Sequence, residues 1–196
     1  MNSKQFKKDA KSLFSFGNLK LGKDTMIFNM TSATDCPSSV KGLCKVGAKC
    51  YALKAERIYP NVRPHRRFQS SFWNVCTPSQ FVDVVVAAKT KHIKYLRVNE
   101  AGDFRNQADV DKLNLIAKRL KVIGIKTYLY TARTDLTFKD TEFVVNGSSW
   151  MADNEFRYIP RGTTPAPDVQ VICPGDCRSC DLCKDKLGMV IGVEQH

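Results

Sequence analysis

Residues 78–131 read PSQFVDVVVAAKTKHIKYLRVNEAGDFRNQADVDKLNLIAKRLKVIGIKTYLYT, and this stretch decides the fold class. Pro78 follows Thr77 as a helix start, and Phe81, Val84, Val85 and Ala88 recur at helical spacing, so a helix is predicted over 78–91. IKYLRV at 93–98 predicts a strand. Val110, Leu113, Ile116, Ala117 and Leu120 mark the apolar stripe of a second helix over 109–123, which Gly124 ends. KTYLYT at 126–131 predicts the next strand. Helices alternating with strands argue for an α/β fold with a mainly parallel sheet, partial (β/α) barrel-like, with cysteine-rich loops at the C-terminal strand ends.

The flanks extend this pattern. TMIFNM at 25–30 predicts a first strand, and a loop carrying Cys36, Cys44 and Cys50 leads into a run of helical composition that ends near Pro60. Further strands are expected at 143–146, 156–159 and 169–172, the last running straight into CPGDCRSCDLC at 173–183. Residues 1–24 read as a polar, basic lead-in, and 25–196 as one α/β metal-binding domain. Ligands of parallel sheets gather at the carboxyl ends of the strands. The cysteine loops and NEAGDF at 99–104 all follow predicted strands, so they are expected to share one rim.

Composition narrows the class. The 196 residues, 43% hydrophobic and 26% charged, suit one globular domain. No apolar run approaches the roughly 18–20 residues of a membrane span. The first eleven residues carry four lysines and no apolar core of a secretory signal, so a cytoplasmic location is expected. In a reducing compartment the eight cysteines suggest metal ligands before disulfides. A net charge of +12 and a pI near 9.4 point to an anionic partner, nucleic acid or a nucleotide.

Cys173, Cys177, Cys180 and Cys183 are spaced C-x3-C-x2-C-x2-C, close enough in sequence to wrap one metal centre, either zinc or a four-iron cluster. Cys36, Cys44 and Cys50 form a looser trio, suited to a 4Fe-4S cluster with one iron left open. Cys76, alone before a helix, reads as a small buried hydrophobe. None of His65, His92 and His196 has ligand spacing.

CPSSVKGLCKVGAKCYA at 36–52, LRVNEAGDF at 96–104 and CRSCDLC at 177–183 together resemble the phage "gene product 88" family, over roughly residues 19–184. That resemblance implies a phage or mobile-element origin, and hence the host cytoplasm. More distantly, the chain is similar to radical S-adenosylmethionine enzymes, which place three cysteines after the first strand of a partial barrel and a cofactor-holding motif after the second. The resemblance implies Tyr51, Asn99, Glu100 and Gly102 as cofactor contacts. The C-x3-C-x2-C spacing of those enzymes stands here at Cys173–Cys180 instead of Cys36–Cys50.

Glu100 and Asp103, at a predicted strand end, are the candidate catalytic carboxylates, with an ordinary turn as the other reading. Arg63, Arg66, Arg67 and Trp73, with Phe68 and Phe72 between them, are the candidate nucleic-acid contacts, the other reading being a helix whose aromatics enter the core. The leading expectation is an iron–sulfur enzyme acting on nucleic acid or a nucleotide through a radical S-adenosylmethionine-like site. Its rivals are a zinc-stabilised base-exchange enzyme resembling deazaguanine transglycosylases, and a non-catalytic zinc-stabilised module that binds nucleic acid or a host protein.

Overall fold

The computed structural model describes residues 2–18 and 20–194; His196 lies outside them. In chain order the elements are α1 Ser3–Ser12, β1 Ser15–Phe16, β2 Thr25–Phe28, α2 Pro37–Val40, α3 Tyr51–Ile58, α4 Val62–Val75, α5 Pro78–Ala88, β3 Tyr95–Val98, α6 Gln107–Val122, β4 Lys126–Thr131, β5 Val144–Ser148, β6 Asn154–Ile159, β7 Val171–Ile172 and β8 Val190–Glu194. Thr77 and Gln80 close a capping box on α5 with Pro78 in the first turn. Asn106 caps α6 by accepting from the Asp109 amide, and Gly124 beyond its end takes φ +77°, a left-handed value that suits glycine.

The strands form one open, mixed sheet in the order β1-β2-β3-β4-β5-β6-β8-β7. β1 pairs antiparallel with β2, and every other pairing is parallel. The edges β1 and β7 stand at opposite ends of this order, so the sheet does not close on itself.

Strand alternation sends two different sets of side chains to the two faces. Phe28, Leu96, Val98, Leu129 and Val145 meet Phe81, Val84 and Val85 of α5, Leu113, Ile116 and Leu120 of α6, and Trp73 of α4. Phe81 packs edge-on against Phe28 and Trp73, with centroids 4.8 and 5.4 Å apart. The opposite face presents Tyr95, Tyr128, Tyr130, Val144 and Phe156, and packs under Cys173, Leu182, Cys183 and Met189.

Two expectations need correction. The first 24 residues are no loose lead-in: Ala10, Leu13 and Phe14 are buried in the helix-side core, and β1 extends the sheet. Nor is 169–172 the last strand, because β8 inserts between β6 and β7. Parallel neighbours need a crossover. Between β7 and β8 that crossover is the cysteine-rich segment 173–189, which lies over the sheet face with no helix in it. No helix among the described residues is long and apolar enough to cross a membrane.

Candidate functional site

The loop after β3 is built by side chain-to-backbone bonds. Asn99 adopts φ +57°, and its Oδ1 accepts from the Met30 amide at 3.1 Å. The Ala101 amide donates to Asn29 Oδ1 at 2.8 Å. Gly102 stands at φ +74°, and a Cβ there would lie 2.1 Å from Thr31 Oγ1 and 2.3 Å from its carbonyl oxygen. Glycine is therefore required by both conformation and space.

Asp103 is buried and accepts four hydrogen bonds: from Ser38 Oγ at 2.6 Å, Thr131 Oγ1 at 2.7 Å, Phe104 N at 2.8 Å and Ala132 N at 2.9 Å. That fills the acceptor capacity of a carboxylate. Burial raises its pKa against these donors. Asp103 thus ties the ends of β3 and β4 to α2, and no acceptor position is left over for a substrate.

Glu100 is placed differently. Its side chain is one-fifth exposed, and its carboxylate is shared by Asn18 Nδ2 at 3.4 Å and Arg66 Nη2 at 3.8 Å. Its backbone carbonyl accepts from the Tyr51 hydroxyl, so the start of α3 is pinned to the tip of β3. Arg97 Nη2 lies 3.5 Å from the same hydroxyl, and its guanidinium carbon stands 5.2 Å from the Tyr130 ring centroid. The structure thus sets Tyr51 against the loop at the carboxyl end of β3 that carries Asn99, Glu100 and Gly102.

The cysteines do not complete that picture as metal ligands. Cys173, Cys177, Cys180 and Cys183 line one small cavity of about 20 Å³ with Tyr130 and Phe156. Yet among the described residues no three His, Cys, Asp or Glu side chains are grouped so as to hold a metal ion. This corrects the iron–sulfur, zinc and S-adenosylmethionine expectations, and with them the enzyme and zinc-stabilised-module readings built on those groups. The physical reason lies in packing. Cys183 is driven into the core under the crossover, and Cys50 packs against Ala33, Ala52 and Ala101. Burial raises the Cys177 and Cys183 pKa values and pushes Cys36 up to about 11, which favours neutral thiols over ligating thiolates. Short spacing reported neighbouring residues, but not convergent sulfurs. Cys76 is buried, as its isolation suggested.

The basic aromatic stretch is helix α4, and its period divides the predicted contacts. Arg66, Gln69 and Trp73, at i, i+3 and i+7, face inward. Trp73 is fully buried, its Nε1–H donating to Asp109 at 2.8 Å, so no base has access to its ring. Arg66 is buried against Glu56 at 3.0 Å. Arg67 is exposed but grips both oxygens of Asp35, at 2.8 and 3.0 Å. Of the four, Arg63 alone is exposed and outside any ion pair found among the described residues.

A neighbouring surface escaped the sequence reading. On α3, Tyr51, Lys54 and Ile58 share the side opposite buried Ala52 and Glu56. Tyr51, Tyr59 and Phe68 are 60%, 59% and 50% exposed. Around them Lys45, Lys49, Lys54, Arg57 and Arg63 are exposed, and none joins an ion pair among the described residues. Residues 41–67 hold eight lysines and arginines against one carboxylate, the buried Glu56. The signal was in the helical period from residue 51, had it been scored for exposed aromatics.

The sequence matches the family described as gene product 88 (GP88) over residues 4–186. The chain belongs to that family. No curated protein and no solved structure matches it. Membership therefore rests on the whole fold unit from α1 through the cysteine-rich crossover, and nothing ties the chain to radical S-adenosylmethionine enzymes.

Proposed function

We propose that this GP88-family protein binds single-stranded nucleic acid on the outer surface of α3, the turn before it and α4. The observation that carries the reading is the set of half-exposed rings, Tyr51, Tyr59 and Phe68, in a segment whose exposed cations Lys45, Lys49, Lys54, Arg57 and Arg63 join no ion pair among the described residues. Cations of this kind release counterions from a phosphate backbone, and exposed rings stack unpaired bases without regard to sequence. A duplex hides its base faces, so the rings favour a single strand. The net charge of +12 supplies attraction at longer range. Eight free cysteines fit a reducing cytoplasm, where such a strand would be met.

Fluorescence polarisation with labelled single-stranded and duplex oligonucleotides, across a salt series, tests this. The native chain is expected to prefer the single strand and to weaken steeply with salt. Replacing Lys49, Lys54 and Arg57 together by alanine is expected to lower affinity by about tenfold or more, and to reduce the salt slope by about 2 to 3. Equal affinity in native and triple variant, or binding indifferent to salt, overturns the reading.

A further inference from the structure

On the outer side of α4, a carboxylate takes up one exposed cation. Arg67 Nε donates to Asp35 Oδ2 at 2.8 Å, and its Nη2 donates to Oδ1 at 3.0 Å. Two such N–H···O bonds are the fork with which arginine grips a carboxylate or a phosphate. Both side chains are about half exposed, and an ion pair so placed adds little to stability. Arg63, one turn earlier on α4, also bears on the carboxylate. Hydrogen bonds from Arg67 and Ser32, and then the charges of Arg67 and Arg63, hold the Asp35 carboxyl below the usual carboxylate range.

Asp35 is held in place by bonds that do not involve Arg67. Ser32 Oγ donates to Asp35 Oδ2 at 2.7 Å, and the Asp35 amide donates back to Ser32 Oγ at 3.2 Å. The Ala33 and Thr34 amides and the Thr34 hydroxyl donate to the Glu56 carboxylate, at 2.7, 3.1 and 2.7 Å. Residues 32–35 are thus tied to α3 through a buried carboxylate, and from that anchor the Asp35 side chain reaches α4. The loop is closed without the pair. What the pair does is withdraw Arg67, next to the half-exposed Phe68, from a surface whose other cations stand unpaired.

We propose that Asp35 is an internal competitor of the bound strand: its carboxylate occupies the Arg67 fork that a backbone phosphate would otherwise take, and so limits affinity. A carboxylate and a phosphodiester each offer two oxygens to a guanidinium, so one excludes the other. The inference rests on the strand reading of the preceding subsection and names what restrains that surface. A strand held by one fork fewer leaves faster, because affinity differences within one interface lie mostly in the off-rate.

The test compares four full chains, native, Asp35→Asn, Asp35→Asn/Arg67→Gln and Asp140→Asn, on one labelled single-stranded oligonucleotide across a salt series. Asp140 is exposed in the turn before the amino end of β5, away from the strand tips, and its φ of +55° suits asparagine. Asp140→Asn therefore removes the same charge at a distance. Asp35→Asn is expected to tighten binding by about threefold to tenfold and to steepen the salt slope by about 0.7 to 1, one further phosphate contact. Asp140→Asn is expected to tighten it by less than about twofold, because salt screens a remote charge. The double variant, with the net charge of the native chain, is expected to return to native affinity. Asp35→Asn binding no tighter than Asp140→Asn, or a gain that survives Arg67→Gln, overturns the proposal and leaves the strand reading standing. Binding by Asp35→Asn but not by the native chain overturns the strand reading for the native chain and upholds the restraint. Absence of binding in every chain overturns both. A fall in Tm of more than about 5 °C in Asp35→Asn assigns the pair to the fold and likewise overturns the proposal.

Discussion

The two faces of the sheet are built to different standards. On the helix side, Phe28, Phe81 and Trp73 interlock edge to face, and Trp73 finds Asp109 for its one polar atom. On the crossover side, aromatic rings pack with cysteines and a buried lysine, and Arg97 and Tyr128 keep polar atoms without partners. The first face leaves one buried polar atom without a partner among the described residues, Thr127 Oγ1, and the second leaves three, Arg97 Nε and the hydroxyls of Tyr128 and Tyr158. The second leaves groups unsatisfied where the sheet meets a helix-free crossover. Unpaired buried polar atoms are rare enough in native proteins to ask for a reason, and a ligand is one.

The comparison breaks first on the helix side. Phe81 touches Phe14, Phe28, Phe72 and Trp73, and Phe81→Ala leaves a cavity ringed by rigid aromatics that have little freedom to collapse into it. The expected loss is about 3–5 kcal/mol in a urea melt. A loss under about 1 kcal/mol would mean that this face is no better packed than the other.

How far the sequence disclosed this molecule follows the same division. The helix side was legible because periods of 3.6 and 2 write the same core twice: Phe81, Val84 and Val85 in α5, Leu96 and Val98 in β3. β4 is found at 126–131, as KTYLYT predicted. β8 was hidden because a crossover without a helix gives no period to announce the strand beyond it, and because Gly192 interrupts its apolar run. A Cβ there would lie 2.5 Å from Ile159 Cδ1, so the tips of Ile159 and Ile172 pack into the space the glycine leaves. At the rim, the loop after β3 was expected at 99–104, but the division of labour within it was not. Only coordinates reveal that Asp103 is saturated while Glu100 is loosely held. The cysteines misled for a related reason: spacing constrains backbones, whereas the direction of each sulfur depends on what lies beneath it.

Acid provides a smaller test with a definite sign. Burial would raise the pKa values of Glu56 and Asp109, but hydrogen bonds outweigh it, from Thr34, Ala33 and Arg66 to the first and from Arg105 and Trp73 to the second. Both end below their ordinary values of 4.5 and 3.8. Their stabilisation is therefore complete above those values and is lost as pH falls through the lowered folded pKa values. Asp103 runs the other way: its folded pKa is raised, so it adds stability as pH falls toward its ordinary value of 3.8. Thermal melts are expected to hold or rise slightly from pH 7 into the mildly acidic range and then to drop below about pH 4. Glu56→Gln should blunt the drop, and an undiminished drop would remove Glu56 from the account.

The smallest effect is the most discriminating. Removing one member of a satisfied hydrogen bond destabilises, whereas removing a buried hydroxyl that has no partner relieves a desolvation cost at nearly constant volume. Tyr128→Phe is therefore expected to stabilise the ligand-free protein by up to about 1 kcal/mol, read as a small rise in Tm. A fall in Tm would mean that Tyr128 already has a partner in solution, and the contrast between the two faces would lose its main support.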